Sequence, residues 1–260
     1  MEFKAALITG GADRLGRAMA LDLAARGVNV AIHYATSIDK ANEAVVAAQA
    51  LGVQAVALQA DLTDREQTGE LVQRAVNAIG QLDVLINNAS IFEYDTLATA
   101  SHDGWDRHME SNFHAPFILT QSFAAQCPDV GNDGEPLAQA AIINMVDQRV
   151  RKYTPEFMTY SLAKSALWTL TQTSAQGLAP AVRVNAIGPG PTLQGSRQSL
   201  AHFTGQRRNT ILERGANVDD ILGAMRYFLD ASAVTGQLIC VDGGQHLGWK
   251  TPDVRGVEET

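Results

Sequence analysis

Tyr160 and Lys164 are four residues apart, a spacing that places two side chains on the same face of a helix about one turn apart. A fixed ammonium charge beside a phenol favours the phenolate form. The pair therefore predicts that Lys164 lowers the pKa of Tyr160 from its usual value of about 10. Tyr160 is then a candidate general acid near neutral pH. The same spacing also arises by chance on half-exposed helices, so its meaning depends on the rest of the chain.

Asp147 stands thirteen residues before Tyr160, at the end of an apolar run. An ionised carboxylate can only accept hydrogen bonds, whereas a protonated one can also donate. A strand-end carboxyl at this distance from Tyr160 is therefore a candidate to act with it. The structural alternative is that Asp147 caps the next helix or pairs with Arg149 or Arg151.

Strand-length apolar runs alternate with helix-length segments, which predicts βαβ units and a parallel sheet. We predict an α/β fold with a Rossmann-type doubly wound parallel sheet in a three-layer αβα arrangement. One domain is expected over residues 1–247, with a C-terminal tail over 248–260. The predicted strands are Ala5–Thr9, Val28–His33, Ala55–Gln59, Val84–Ile86, Ala141–Val146, Arg183–Ala186 and Leu238–Val241. The predicted helices are Leu15–Arg26, Asp39–Leu51, Asp64–Ile79, Trp105–Gln126, Phe157–Gln176 and Val218–Asp230.

Two segments between these elements are predicted to be irregular. Cys127–Glu135 is rich in Gly, Pro, Asn and Asp, which is typical of a surface loop. Pro189–Gly215 is a long polar stretch before the last helix. Connections of this length are usually functional, so we predict a substrate lid over about residues 191–215.

A glycine-rich turn follows the first predicted strand and opens directly into a helix; it reads Thr9-Gly10-Gly11-Ala12-Asp13-Arg14-Leu15-Gly16. Glycines let the main chain approach a pyrophosphate closely, and the helix N-terminus offers unpaired N–H groups. Its place between strand and helix favours a dinucleotide site over a plain tight turn. Arg14 stands where glycine is commoner. It is either a solvated surface arginine or a guanidinium that contacts phosphate or a polar substrate.

The residues after the second predicted strand bear on which dinucleotide binds; they read His33-Tyr34-Ala35-Thr36-Ser37. No acid is present here to bind the ribose 2′-hydroxyl of NAD. Because a carboxylate would repel a 2′-phosphate, its absence favours NADP, with Thr36, Ser37 and Arg14 as possible donors. Asp61 follows the third strand and is a candidate contact for the adenine amino group, or an N-cap for the helix that begins at Asp64.

The composition narrows the class of protein. The 260 residues carry a net charge of −8, which argues against a nucleic-acid-binding surface of clustered cations. No apolar run reaches the roughly 18 residues of a membrane span, and the N-terminal residues read as a strand rather than a signal peptide. We therefore expect no membrane partner and a cytoplasmic location. Cys127 and Cys240 are expected to be ordinary thiols, and no histidine spacing predicts a metal site.

Over residues 4–247 the order and spacing of these motifs resemble the short-chain dehydrogenase/reductase family. The other matching motifs are Asn87-Asn88-Ala89, Asn112, Pro189-Gly190 and Val241-Asp242-Gly243-Gly244. The resemblance implies that Asn112 holds a water in a proton relay to Lys164, and that Tyr160 delivers the proton. Lys164 would also bind the nicotinamide ribose. The implied contacts to NADP, as NADPH, are Gly10, Arg14, Leu15, Gly16, Tyr34, Thr36, Ser37, Asp61, Leu62, Asn88, Ala89, Ser90, Tyr160, Lys164, Pro189, Gly190 and Thr192.

Within that family the chain resembles the pteridine reductases and the bacterial dihydromonapterin reductases. Three features carry this likeness: the T-G-x-x-x-R-x-G turn, the Asp147, Tyr160 and Lys164 set, and Phe92 after Asn-Asn-Ala-Ser. In the family the position of Asp147 normally carries a serine that donates to a ketone oxygen. A carboxylate there would repel the developing negative charge unless it stayed protonated, and it suits the N–H groups of a cationic or amidine-like heterocycle. The resemblance therefore implies reduction of a carbon–nitrogen double bond, with a pterin substrate between the nicotinamide and the ring of Phe92. The implied substrate contacts are Arg14, Ser90, Phe92, Asp147 and Tyr160.

The resemblance also implies a homotetramer, and several alternatives stay open. Phe92 could be ordinary core packing. Trp168 and Leu170 could be core residues or part of a subunit contact. The chain could be a short-chain dehydrogenase/reductase of another carbonyl or imine substrate, or a redox sensor that binds NADP without catalysis.

Overall fold

The computed structural model describes residues 3–195, 198–249 and 251. The strands are β1 (Ala5–Ile8), β2 (Asn29–Tyr34), β3 (Ala55–Gln59), β4 (Val84–Asn87), β5 (Gly131–Asn132), β6 (Pro136–Leu137), β7 (Ala140–Met145), β8 (Val182–Pro189) and β9 (Leu238–Val241). The α-helices are α1 (Arg14–Ala25), α2 (Ile38–Gln49), α3 (Arg65–Ile79), α4 (His102–Met109), α5 (Ala115–Ala124), α6 (Met158–Gly177), α7 (Leu200–Arg208) and α8 (Val218–Asp230). Shorter turns are a π-helix (Glu110–His114) and two 3₁₀ helices (Gln148–Arg151 and Gln245–Leu247).

Seven of the strands form one parallel sheet in the order β3-β2-β1-β4-β7-β8-β9. The chain order runs outward in both directions from the neighbours β1 and β4, so the sheet is doubly wound as predicted. All seven predicted strands are present. In such a sheet a ligand binds outside the carboxyl ends of the strands, at the point where the strand order reverses.

Side chains of β1 alternate between two cores, one on each face of the sheet. Ala6 and Ile8 pack in a cluster that includes Met19 of α1 and residues of α2 and α8. Ala5 and Leu7 pack on the opposite face against residues of α3, α5 and α6. Because both faces are covered by helices, the predicted three-layer single domain is confirmed. None of the helices in the described ranges is long and apolar enough to cross a membrane.

The predicted helix Trp105–Gln126 is wrong as one continuous helix. It begins earlier, as α4, and passes through the π-helical turn Glu110–His114 before α5 continues. Pro116 lies in the first turn of α5 and lacks the N–H that an α-helix would donate to the carbonyl of Asn112. The proline therefore accounts for a break that the apolar pattern does not reveal.

Other predicted boundaries also need correction. The segment Pro189–Gly215 contains helix α7. None of the residues of α7 is buried, so the sequence shows no apolar stripe that would predict this helix. The predicted loop Cys127–Glu135 contains β5, a two-residue strand that pairs antiparallel with β6. The strand that leads into Pro189–Gly215 is β8, which extends to Pro189 rather than ending at Ala186. Most of the predicted tail 248–260 lies outside the described residues, as do residues 196 and 197 of the predicted lid.

Candidate active site

The candidate residues gather at the carboxyl edge of the sheet, where the strand order predicts a ligand crevice. Tyr160 lies in the first turn of α6, and Asp147 follows β7 by two residues. The Tyr160 hydroxyl donates a hydrogen bond of 2.8 Å to Oδ2 of Asp147. The other carboxylate oxygen, Oδ1, accepts from the main-chain N–H of Arg149 at 2.8 Å. Asp147 therefore caps the 3₁₀ helix that follows it and also holds the phenol.

The charges around the phenol oppose the pKa shift predicted from the helical pair. Burial raises the pKa of Tyr160 well above its usual value, and the charge and hydrogen bond of Asp147 raise it further. The phenol therefore keeps its proton at neutral pH. Burial also raises the pKa of Asp147, against the lowering effects of the Arg149 N–H and the Tyr160 hydroxyl. The predicted fall in the pKa of Tyr160 is therefore wrong in this structure, because burial and Asp147 outweigh the lowering effects of Arg149 and Ser90.

Lys164 is buried on the next turn of α6, and its ammonium is bonded to the main chain rather than to the phenol. Its Nζ donates to the main-chain carbonyl of Met145 at 2.8 Å and lies 5.8 Å from the ring centroid of Tyr160. Burial lowers the pKa of Lys164 to about 8, while the charge of Asp147 opposes that shift. The amine is thus close to Tyr160 and titrates near neutral pH, as a proton relay requires.

An aromatic stack stands beside Tyr160. Phe92 lies parallel to Phe157, with ring centroids 4.4 Å apart, and meets Tyr160 edge-on at 4.6 Å. The guanidinium of Arg149 lies 4.8 Å from the centroid of Phe157. Phe92 is 49% exposed, so it is not a core residue, and a planar ligand could stack on it. Ser90 lies on the same loop as Phe92, and its Oγ donates to the Ile91 carbonyl at 3.4 Å.

Sequence reasoning missed Phe157, which joins the two halves of this stack. The predicted helix began at Phe157, but this residue has a φ of 55°, in the left-handed region, and α6 begins after it. Its main-chain N–H donates to the carbonyl of Asp95 at 2.8 Å. The hydrogen bond and the ring contacts hold a conformation that a bulky residue rarely adopts. No sequence signal predicts that conformation. The one available indication was that Phe157 lies directly before the helix that carries Tyr160.

The side chain of Asn112 is fully engaged in holding a neighbouring loop. Its Oδ1 accepts from the main-chain N–H of Ile91 and its Nδ2 donates to the Ile91 carbonyl, both at 2.8 Å. This two-point contact fixes the segment that carries Ser90 and Phe92. A relay water at Asn112 would therefore have to bind its main-chain carbonyl, which loses its α-helical donor at Pro116.

The glycine-rich turn is held against the loop after β4. Nδ2 of Asn88 donates to the carbonyl of Thr9 at 2.9 Å, and the Thr9 hydroxyl accepts from the main-chain N–H groups of Asn88 and Ala89 at 2.9 and 3.0 Å. Gly10 has a φ of 61°, and a Cβ at Gly16 would lie 2.1 Å from the Gly10 carbonyl oxygen. The turn therefore requires both glycines, and it leaves the open main-chain cradle that a pyrophosphate needs.

His33 supports this turn from β2 and was not among the predicted site residues. The main-chain N–H of Gly10 donates to its Nδ1 at 3.0 Å, and its Nε2 lies 3.1 Å from the Ala60 carbonyl. These partners require the neutral tautomer with the proton on Nε2. Burial lowers the pKa of His33 to about 4. A histidine at the end of β2, facing the glycine turn, was the signal available in the sequence.

Arg14 adopts a φ of 52°, which explains why glycine would be common at this position. Its guanidinium donates to the main-chain carbonyls of Leu193 and Gln194 at 3.1 and 2.9 Å. It is neither a free surface arginine nor aimed at the Asp147–Tyr160 pair. In this structure it links the glycine turn to the predicted lid.

The remaining predicted cofactor contacts surround the same crevice in different ways. Thr36 and Ser37 lie between β2 and α2, and Tyr34 packs partly against the core, as Leu15 does. The side chain of Leu62 is buried, so only its main chain is available to a ligand.

Three further predicted contacts are held by hydrogen bonds to neighbouring groups. Asp61 accepts from the N–H and hydroxyl of Thr63 at 2.9 and 2.8 Å, while Asp64 is the N-cap of α3; the N-cap alternative for Asp61 is therefore wrong. Gly190 donates to the carbonyl of Val241 at 3.0 Å, and the hydroxyl of Thr192 donates to the Gly190 carbonyl at 3.1 Å.

The described ranges hold no group of three or more side chains that could ligate a metal ion. Cys127 and Cys240 are free thiols, and burial raises the pKa of both.

Comparison with known proteins agrees with this geometry. The family model described as short chain dehydrogenase matches residues 4–204. The 3-oxoacyl-[acyl-carrier-protein] reductase FabG of Staphylococcus epidermidis is 32% identical over 251 residues, which cover 94% of this chain and 99% of that protein. The structure of FolM alternative dihydrofolate reductase 1 from Brucella suis in complex with NADP is 40% identical, with a TM-score of 0.89 over 96% of this chain and 98% of that one. The Brucella canis protein complexed with NADP is 38% identical, with a TM-score of 0.88 over 97% of this chain and 98% of that one.

Proposed function

This chain belongs to the short-chain dehydrogenase family, and we propose that it is an NADPH-dependent reductase of a pterin-like C=N substrate, such as a dihydropterin or dihydromonapterin. Its cofactor is NADP, which both FolM structures hold. When bound, NADPH supplies the hydride. The glycine turn fits this group because Gly10 and Gly16 leave the main chain open to phosphate.

The observation that carries the proposal is the hydrogen bond between Tyr160 and Asp147. The phenol keeps its proton, so Tyr160 can protonate the substrate atom beside the one that receives hydride. The carboxyl of Asp147 stands next to that proton and can accept a hydrogen bond from a substrate N–H. Lys164, with a pKa of about 8, is placed to restore the proton to Tyr160. Water held at the Asn112 carbonyl would extend the relay.

The aromatic stack supports a flat heterocycle as substrate. Phe92 is half exposed and is held parallel to Phe157, so it offers a rigid face for stacking. We propose that the substrate lies on Phe92, with Ser90 and Asp147 at its polar edge. Arg14 would reach the substrate or the phosphates after releasing the lid carbonyls, and the lid over 191–215 would close on the bound ligands.

The likeness to FabG favours a second candidate, reduction of a 3-oxoacyl ketone. Asp147 argues against it, because a carboxylate beside a developing alkoxide is repulsive where a hydroxyl would donate. The two candidates therefore differ in what replacing Asp147 with Ser should do. A ketone reductase would gain activity from the hydroxyl, and a pterin reductase would lose its contact to the substrate N–H.

The test is a panel of dihydropterins, simple ketones and a 3-oxoacyl thioester, each assayed with NADPH and NADH. We expect the native protein to oxidise NADPH with dihydropterins, Tyr160→Phe to lose most of that activity, and Asp147→Ser to lose dihydropterin turnover. Phe92→Leu should raise KM for the dihydropterin. Tyr94→Leu is the matched control, since Tyr94 also contacts Phe157 but does not touch Tyr160 in the described contacts. Turnover of ketones without turnover of any dihydropterin would reject the pterin proposal.

We also propose a homotetramer in the cytoplasm. The shallow apolar surface between α5 and α6, which includes Phe117 and Leu170, supports a contact between subunits. Light scattering on the purified protein measures the mass directly, and a monomeric mass would reject the assembly.

A further inference from the structure

An ion pair joins the glycine turn to the first turn of α2. Nζ of Lys40 lies 2.5 Å from Oδ2 of Asp13, and the two side chains are 54% and 49% exposed. An exposed pair of this kind contributes little to stability. Its position at the dinucleotide crevice is therefore the more informative property.

The pair spans the gap where the adenosine ribose of a dinucleotide belongs. One side of the gap is the turn that carries Asp13, and the other is the segment Thr36–Ser37 that leads into α2. His33 ties the two sides together through its hydrogen bond to Gly10. A 2′-phosphate in this gap would meet the carboxylate of Asp13, so a cation is needed to make binding favourable.

Lys40 is the cation best placed for that task. Residues 33–37 contain no arginine or lysine. The guanidinium of Arg14 donates to the carbonyls of Leu193 and Gln194. The guanidinium of Arg74 donates to the carbonyl of Gln59, the last residue of β3, at 2.8 Å. A lysine ammonium has three donors, so Lys40 can keep Asp13 and still offer two to a phosphate.

We propose that Lys40 binds the 2′-phosphate of NADP and sets the preference for NADP over NAD. Asp13 positions the ammonium, and Lys40 in turn offsets the negative charge of Asp13. The inference rests on NADP as the cofactor and is independent of whether the substrate is a pterin.

The test measures binding of cofactor fragments that lack the nicotinamide, so it requires no turnover. Isothermal titration calorimetry on the full chain compares 2′,5′-ADP, which carries the 2′-phosphate, with 5′-AMP, which does not. We expect Lys40→Met to weaken 2′,5′-ADP binding roughly ten- to a hundredfold, because a charge-assisted hydrogen bond is lost. Binding of 5′-AMP should change by less than about twofold on the same scale. Lys40→Arg should retain the preference, and raising the salt concentration should affect Lys40→Met less than the native protein.

Lys4→Met is the matched control, because Lys4 directly precedes β1 at the opposite edge of the sheet and should leave both affinities unchanged. The proposal is overturned if Lys40→Met binds 2′,5′-ADP as tightly as the native protein. It is also overturned if Arg74→Met, and not Lys40→Met, abolishes the discrimination. A native protein that binds the two fragments equally would reject NADP as the cofactor, while the dihydropterin panel tests the substrate separately.

Discussion

Replacing Asp147 with Asn should lower the pKa of Tyr160. The substitution removes one negative charge and changes the size of the side chain little, and its amide oxygen can still accept from the Arg149 N–H. The bond it alters is charge-assisted, 2.8 Å long, and worth about 1.5–3 kcal/mol. Loss of this bond should favour the phenolate over the phenol by an energy of that order. The pKa shift is downward, since the Asp147 carboxylate disfavours the phenolate.

Ultraviolet difference titration of tyrosinate measures this shift. The chain contains five tyrosines, so each titration must be compared with the same background carrying Tyr160→Phe. The difference between the two curves isolates Tyr160. Asp83→Asn is the control: Asp83 is also a buried acid, but it binds the main chain of Lys4 and Ala5 and should leave the Tyr160 pKa unchanged. If Tyr160 titrated at the same or a higher pH in Asp147→Asn, Asp147 would not be what keeps the phenol protonated.

Two further predictions concern the glycine turn. The pKa of His33 is lowered from 6.5 to about 4, so the unfolded chain binds more protons there and stability falls as pH drops from 6.5 toward 4. When the pH falls from 8 to 5, this residue should lower the unfolding free energy of the native protein by about 2 kcal/mol. Urea titrations at pH 8 and pH 5 should show a smaller loss of unfolding free energy for His33→Gln. An equal loss in the native protein and the variant would contradict the assignment. At position 14, where φ is 52°, Arg14→Gly should be about 1 kcal/mol more stable than Arg14→Ala, and equal urea midpoints would refute the strain. Both variants should speed amide exchange in residues 191–195, which native Arg14 holds through Leu193 and Gln194.

The sheet was predictable because its strands are continuous apolar runs bounded by turn signals. Strand β7, for example, is buried at every position, and Asn144 is its one polar residue. The helices were less predictable where tertiary contacts override local pattern. The π-helical turn depends on Pro116, and α7 buries none of its residues, so neither leaves an apolar stripe in the sequence.

The candidate site was predictable in its residues but not in its charges. Spacing along a helix shows that Tyr160 and Lys164 share a face, but it does not show that the ammonium donates to the Met145 carbonyl. Nor does it show that the hydroxyl of Tyr160 donates to Asp147. The direction of the Tyr160 pKa shift depends on burial and on the contact with Asp147, and both arise only when β7 and α6 pack together. The role of His33 is hidden for the same reason, since its partners lie on two other loops.

The structural and chemical interpretations of Asp147 are not alternatives, because its two oxygens serve different donors. Oδ1 caps the 3₁₀ helix through the Arg149 N–H, and Oδ2 holds the Tyr160 hydroxyl. A serine at this position offers one oxygen and could accept from only one of them at this geometry. Asp147→Ser should therefore either free the phenol or release the start of the helix that carries Arg149, whose guanidinium packs on Phe157. The carboxylate thus links the proton donor to the aromatic stack, and both would respond to its loss.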